Sequence, residues 1–349
     1  MKRFGYILLV VMLALGVGCE RRELVDPDSS ALLRVIIRTE NIPNVTEGIY
    51  NPDVEIPSTN TESMRVLMYS KNEGRLLSQG FLNNRSINAE GNQTFSGNLR
   101  LGPGEYSMVG YNFDAANTII SDEINANTIK AYTSEISAEH YARVGSRADE
   151  IDCIYYQNDM LFVSRDMNLN IDSHTGVRTI EAEAHPVVDT YYIQIRVKGV
   201  EYIAVNAAAS AVITGMSPSN LIGQGLRNEE QSCGIYFEMN KGYDQRIRSK
   251  DNEVLCAVFN TFGKIEDASS DLTITMRVLT RDGKVHEKEV DMNPIFETED
   301  ARLRHWLLIE EVWELPKPVT PPSTGGGGFQ PVVDDWDDVQ ADIPIKPAS

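Results

Sequence analysis

Apolar and polar residues alternate with a period of two along most of this chain, and that pattern predicts strands, not helices. In Ala31–Arg38 the residues Ala31, Leu33, Val35 and Ile37 share one face, with Arg34 and Arg38 on the other. Met64–Tyr69 is a second strand; Asn72-Glu73-Gly74 closes it and Arg75–Phe81 returns, a hairpin with a slightly longer turn. Thr94–Leu101 runs into Gly102-Pro103-Gly104, and Tyr106–Phe113 reads as the return strand, because Pro and Gly supply turn dihedrals. Further on, Tyr191, Ile193, Ile195 and Val197 point inward while Gln194, Arg196 and Lys198 point outward. Ala207–Thr214, Cys233–Met239 and Val254–Phe259 are additional strands. Leu272–Leu279 meets Arg281-Asp282-Gly283-Lys284 and returns through Val285–Val290, with Asp-Gly as the clearest hairpin signal. Leu303–Leu315 fits a strand face and a helical stripe; it is read as strand because Pro316 ends it. Ser137 is a candidate N-cap for one short helix.

These strands group into two β-rich blocks, 31–176 and 177–315, each with the short strands and regular turns of a β-sandwich. Met64-Arg-Val-Leu67 and Met276-Arg-Val-Leu279 each precede a Gly-containing turn, a hint that the blocks are related. A polar tether, 19–30, precedes them. Residues 316–331 (PKPVTPPSTGGGGFQP) form a linker, stiff in its Pro part and flexible in its Gly part. The linker detaches an acidic tail, 332–349. There Asp334, Asp335, Asp337 and Asp338 surround Trp336, and Val339, Ala341, Ile343 and Ile345 alternate with Gln340, Asp342 and Pro344. Pro344 lacks an N–H, so this strand belongs at a sheet edge.

Residues 1–18 read as a targeting segment. Lys2 and Arg3 are basic, Ile7–Leu15 carries no charge, and Gly16-Val17-Gly18 is small. The apolar run is too short to span a bilayer, which needs about 20 residues. Cys19 directly after a small residue resembles a bacterial lipobox, in which the Cys is acylated and becomes the new N-terminus. That signal usually has Leu three residues before the Cys; here Gly16 holds the place and Leu15 lies one step back. The alternative is an ordinary signal cleaved near Gly18. Fatty acyl chains such as palmitate on Cys19 would anchor the chain, each buried CH₂ contributing about 0.8 kcal/mol.

Composition adds exclusions. The chain has 349 residues, 42% apolar and 24% charged, as globular proteins do. Its 32 Lys and Arg against 51 Asp and Glu leave a formal charge of −19, which a nucleic-acid backbone repels. An acidic body is not drawn to anionic headgroups either, so the lipid, not the surface, is expected to hold it to a membrane. The five His (140, 174, 185, 286 and 305) form no HExxH and no close pair. Gly215-Met-Ser217-Pro-Ser219 lacks the closing Gly of a nucleophile elbow. Gly223-Gln-Gly225 lacks the rest of a dinucleotide fingerprint, and there is no Walker loop. No catalytic residue, no metal and no cofactor is therefore expected. Cys153, Cys233 and Cys256 match no zinc spacing; one disulfide with a leftover thiol and buried thiols throughout are equal alternatives. The Asp cluster around Trp336 lacks the ligand spacing and Gly of a calcium loop and reads as a solvated segment. Trp306 and Trp313 are expected in the core. Trp336 lies beyond the linker and must dock on the body or on a partner, or stay exposed.

Several segments carry a resemblance: CERREL at Cys19–Leu24, LGPGEYSMVGYNF at Leu101–Phe113, ASAVITGMSPSNLIG at Ala209–Gly223, FNTFG at Phe259–Gly263, and GGGGFQPVVDDWDDVQADIPI at Gly325–Ile345. In this order they resemble the acylated two-domain lipoproteins of Bacteroidota allied to fimbrillin-type pilus anchor subunits, many of them domains of unknown function. The resemblance implies an all-β chain of two tandem transthyretin-like β-sandwich domains with a detached C-terminal tail. It also implies a lipid at Cys19, residence in the outer membrane, and a non-enzymatic role of fimbrial-anchor type. Partners would be pilin or adhesin subunits, held or regulated through β-strand contacts. In this reading Trp336, Val339, Ala341, Ile343 and Ile345 supply either a strand exchanged with another subunit or a cap on the chain's own sheet edge. Capping is the preferred expectation. Glu20-Arg-Arg-Glu23 is mixed in sign, unlike acidic surface-export signals, and leaves the membrane leaflet open. The alternative function is a surface glycan-binding lipoprotein of a polysaccharide-uptake system. A hydrolase, which would need two carboxylates about 5–10 Å apart, is the least favoured.

Overall fold

The computed structural model describes residues 29–319, apart from 43, 46, 48–53, 55, 138–152, 173–175, 206–208, 245, 248–251 and 267–271. Strand dominates throughout. The first sheet has eight strands, in the spatial order β3 (Leu76–Leu82), β2 (Met64–Ser70), β6 (Gly104–Asn112), β10 (Phe162–Ile171), β11 (Gly176–Pro186), β1 (Ser29–Ile37), β5 (Gln93–Arg100) and β4 (Asn84–Ile87). Its two edges, β3 and β4, are separated in the chain by Asn83 alone. One nearly continuous stretch therefore turns the corner, and the sheet folds back on itself as a sandwich. Gly97 on β5 permits the closure: a Cβ there would stand 2.8 Å from the carbonyl oxygen of Phe81. The alternation read in Ala31, Leu33, Val35 and Ile37 is real, since all four are buried in this core beside Met64, Val66, Phe95 and Met108.

The second sheet runs β19 (Val285–Asp291), β18 (Thr273–Leu279), β13 (Ala209–Met216), β16 (Cys233–Tyr243), β17 (Glu253–Thr261), β12 (Asp189–Lys198) and β20 (Trp306–Glu314). Short β9 (Ile154–Tyr156) adds on, parallel to β16. The helices α1 (Asn293–Phe296) and α2 (Glu299–Arg304) carry the chain from β19 to β20. A third, four-stranded sheet orders β15 (Leu226–Arg227), β14 (Ser219–Leu221), β8 (Lys130–Thr133) and β7 (Thr118–Ser121). It ties strands that precede β11 to strands that follow β12.

The chain ends of this body use parallel pairing. β1 runs parallel to β11, from Ser29 opposite Gly176 to Ile37 opposite Ala184. β20 runs parallel to β12, from Trp306 opposite Tyr192 to Glu314 opposite Lys198. Only Val187 and Val188 separate β11 from β12.

Four sequence readings change. The sequence pattern starts the second block at residue 177, yet β11 joins the first sheet, because its long strand completes the pairing of β1; the passage between sheets falls at Val187-Val188. Tyr106–Phe113 is not the hairpin partner of Thr94–Leu101. β5 pairs with β1 and β4, β6 with β2 and β10, so Gly102-Pro103-Gly104 is a corner between layers. The Tyr106 hydroxyl pins that corner by donating to the Gly102 carbonyl at 2.9 Å. Leu303 is not in a strand: α2, capped by the Thr298 hydroxyl accepting from Ala301 N–H, ends at His305 in the left-handed region, and only then does β20 begin. The hairpin at Asp282-Gly283, by contrast, forms as expected, with Gly283 at φ 77°.

The fourth change concerns β12. Tyr191, Ile193, Ile195 and Val197 do face the second core, but the opposite face is not solvent. Tyr192, Val254, Cys256, Val258 and Trp306 build a second apolar layer there with Val45 and Val54. Trp306 donates its indole N–H to the Val45 carbonyl at 2.8 Å, and Trp313 is buried in the main core. Gln194, expected outside, is buried in this layer. It accepts from the Tyr192 hydroxyl at 2.8 Å and donates to Asp244 Oδ2 at 2.9 Å. Asp244, only 2% exposed, is also clamped by Arg246 at 2.6 Å.

The hydrogen bonds from Arg246, then from Gln194, hold the Asp244 carboxyl below its ordinary range despite its burial. A depressed carboxylate stabilises the fold above the unfolded-state value, about 3.9, and that contribution disappears as pH falls through the folded value. Asp244→Asn should cost about 1–3 kcal/mol near neutral pH by spoiling the charge-assisted pair. In urea titrations the gap between wild type and variant should shrink towards pH 3. A gap that stays constant from pH 7 to 3 would show that the ionised pair contributes nothing.

Candidate functional site

Cys19 and the tail residues Trp336, Val339, Ala341, Ile343 and Ile345 lie outside the described residues, as do His140 and His174. The described body offers three surfaces that chemistry singles out.

The first is a cleft of about 690 Å³ where the two large sheets meet. Its walls are the 56–61 segment, the loop after β6, the Tyr156–Met160 crossing, the middle of β16 and the second half of β17. Asn112 lies at the seam: its amide donates to the Met160 carbonyl at 3.0 Å, and its oxygen accepts the Phe162 N–H at 2.7 Å. Asp159 accepts from the N–H groups of Asn117 (2.5 Å) and Thr118 (3.1 Å). On the other wall Asn260, 1% exposed, accepts the Thr190 hydroxyl at 2.7 Å and donates to the Asn158 carbonyl at 3.0 Å. These amides stitch the crossing segment to both sheets. Tyr156 and Tyr236 meet edge to face at 6.2 Å on the rim. Amide, carboxylate and aromatic side chains share the lining with aliphatic ones such as Ile56, Met160 and Val258, a mixture that suits a neutral polyhydroxy ligand better than a charged one. No Ser, Cys or His nucleophile paired with a base is among the residues that line it.

The second surface is an aromatic patch at the β3 edge. The Arg65 guanidinium lies 5.2 Å from the Phe81 ring and 5.4 Å from the Phe113 ring, which contact each other at 5.1 Å. Phe81 and Phe113 remain 43% and 52% exposed. Arg65 is positioned by Glu123 at 2.7 Å and by Gln79 at 2.9 Å. Glu123 also accepts the Tyr111 hydroxyl, and its backbone carbonyl accepts that of Tyr69 at 2.9 Å. Burial, reinforced by Glu123, pushes both phenols up, so they stay protonated and donate.

The third comprises the edges of the second sheet. β20 carries a bulge at Glu310-Glu311, with Arg196 donating to the Glu310 carbonyl, so its outer side is irregular and charged. Such features discourage an added strand. β19 is regular and alternates, with Val285, Glu287, Glu289 and Asp291 exposed. Val319 N–H donates to Asp282 Oδ2 at 3.4 Å, placing the start of the linker beside the β18–β19 turn. The Thr280 hydroxyl above all, then the Val319 N–H and Lys284, holds the Asp282 carboxyl down to about 2.

Sequence reasoning did not find the cleft or the aromatic patch. Asn112, Asn260 and Asp159 come from separate elements, and no spacing marks them. Phe113 was read only as part of an alternating strand. Among the described residues no three or more His, Cys, Asp or Glu gather as they would around a metal ion, and no helix is long and apolar enough to cross a membrane.

Residues 54–238 match the model of a domain of unknown function, DUF5119, over more than half of the chain. The chain belongs to the DUF5119 family. The matched DUF5119 span begins at Val54, in the outer layer of the second sheet, and ends inside β16. It therefore takes in strands of both large sheets and the whole of the small one. A Bacteroides ovatus protein provisionally named as the fimbrium anchoring subunit Fim4B is 26% identical over 363 residues, covering 96% of each chain. A crystal structure of a Bacteroides ovatus protein provisionally called an adhesin superposes with a TM-score of 0.58 at 23% identity. It covers 87% of this DUF5119 chain and 99% of its own, and shows that the two share a fold.

Proposed function

We propose that this protein is a non-enzymatic envelope lipoprotein of fimbrial-anchor type, acylated at Cys19 and holding pilin or adhesin subunits through β-strand contacts at the outer membrane. One observation carries the reading: similarity to a protein named as a fimbrium anchoring subunit runs over nearly the whole of both chains. The all-β body supports it, because a sheet edge is the natural receptor for an added strand. The charge-free run before Cys19 supports the anchor. The tail strand Val339–Ile345 caps the edge of β19 in the resting protein. The linker's start beside the β18–β19 turn and the irregular, charged edge of β20 support that choice.

Deletion of Gly325–Ser349 tests the strand part. Removing the tail should abolish pilin co-purification or make the monomer self-associate, both read by affinity capture and size exclusion. Unchanged behaviour in both would end the idea. Cys19→Ser, followed by fractionation, tests the anchor: the variant should leave the membrane fraction.

The cleft favours a second reading, glycan binding. Its volume lies within the range of small-molecule sites, and its lining of amides with a Tyr pair matches sugar hydroxyls and ring faces. Titration against a panel of polysaccharides separates the two, since an anchor without glycan function binds none.

A further inference from the structure

Spacing in the sequence leaves the pairing of the cysteines open; in the structure Cys153, Cys233 and Cys256 are buried thiols, and the sheet brings two of them side by side. β9 runs parallel to β16 with Ile154 opposite Gly234 and Tyr155 opposite Ile235. Cys153, the residue before β9, therefore stands opposite Cys233, the first of β16. The strands are still hydrogen-bonded at that point, because Gly234 N–H donates to the Cys153 carbonyl at 3.0 Å. Opposed residues of paired strands project to the same side of a sheet. Here both cysteines belong to the main core of the second sheet, while Ile154 and Tyr236 pack in a cluster on the other face. Neighbouring strands lie about 4.8 Å apart, and a disulfide bridges Cα atoms about 4.4–6.8 Å apart. Cys256 is excluded. It faces the outer layer with Tyr192, Val258 and Trp306, whereas its neighbours Leu255 and Ala257 face the main core that holds Cys153 and Cys233.

We propose that Cys153 and Cys233 form a disulfide that staples β9 to β16, with Cys256 outside the bridge. The pairing is independent of the anchoring role; its presence in the cell rests on export to an oxidising compartment. The oxidant is a disulfide donor, oxidised glutathione or an envelope thiol–disulfide oxidoreductase. One cysteine thiolate attacks the donor disulfide and releases one donor thiol. The second cysteine thiolate then displaces the other donor thiol. Two protein thiols and one donor disulfide thus become one protein disulfide and two donor thiols. Both cysteines are nearly inaccessible in the fold, and burial pushes the Cys233 thiol up. The exchange therefore proceeds during folding, before β9 has docked.

The full chain, denatured and reduced, is refolded in a mixture of oxidised and reduced glutathione, alkylated in denaturant without reduction, digested and mapped by mass spectrometry. The expected product is one peptide pair joining Cys153 to Cys233, about 2 Da lighter than the two thiol peptides together. Cys256 should be alkylated, as should Cys19 in chain produced without its lipid. Cys256→Ser should keep the cross-link, and Cys153→Ser or Cys233→Ser should abolish it; because the map is read on denatured chains, a folding defect in a variant does not obscure the result. A bridge through Cys256, or alkylation at all positions, overturns the pairing. The same map on protein taken from the cell envelope examines export separately. A cross-link in the refolded sample that is missing there upholds the pairing and counts against export.

Discussion

Phe259→Ala is expected to lower the free energy of unfolding by about 3–5 kcal/mol, the cost of emptying a large buried aromatic site. Phe259 is fully buried on β17 and stacks on Phe237 with centroids 4.2 Å apart and parallel planes. Its other side faces Tyr191 at 5.8 Å, and Tyr191 in turn stacks on His305 at 5.0 Å. The surrounding rings rise from hydrogen-bonded strands and cannot slide into the void, so the cavity persists. Aromatic pairs add about 0.5–1.5 kcal/mol each beyond burial. Guanidinium unfolding of wild type and variant measures the difference, with Trp306 and Trp313 as reporters of the same sheet. A loss below about 1 kcal/mol would mean that the aromatic column is not packed as described.

Gly223→Ala should be the second severe change, by a different mechanism. A Cβ at Gly223 would fall 1.8 Å from the carbonyl oxygen of Ala126 and 2.6 Å from Ile129 Cγ2. The first obstacle is backbone and cannot rotate away. Overpacking typically costs about 1–3 kcal/mol, and an unyielding neighbour places this site at or above the upper end. The damage should centre on the small sheet, where the β14–β15 turn rests on the 122–129 loop and Gln224 donates to the Asn127 carbonyl at 2.6 Å. Hydrogen exchange should show faster amides in β8 and β14. Gly102→Ala is the control, because a Cβ there meets nothing within 4 Å. Equal stability of the two variants would refute the close contact.

Much of the architecture could be read from period-two patterning, and the exceptions have physical causes. β1 is visible because it alternates, and β2, β18 and β19 because each also borders a Gly-containing turn, at Gly74 or Gly283. The two MRVL segments occupy corresponding places: Met64–Leu67 and Met276–Leu279 both lie on the strand next to a sheet edge, paired with the hairpin strand that forms that edge. β11 was misassigned because pairing partners far apart in sequence leave no local trace. Gln194 was misplaced because alternation reveals two faces but not whether a loop covers the polar one; the out-of-phase Tyr192, Cys256 and Trp306 were the available signal. The cleft was invisible since its amides converge only after three elements meet. The opposition of Cys153 and Cys233 was hidden for the same reason.

The parallel pairing at the chain ends bears on mechanics. Tension drawn between the amino-terminal side of Ser29 and the carboxyl-terminal side of Glu314 passes from β1 to β11, through Val187-Val188, and from β12 to β20. In each parallel pair the two strands are then pulled from opposite ends, so the rungs of the ladder are loaded together in shear and do not unzip one by one. A body built this way should resist force well beyond what its equilibrium stability suggests. Single-molecule pulling from the two termini, compared with pulling across the β18–β19 hairpin, should show the higher rupture force for the termini.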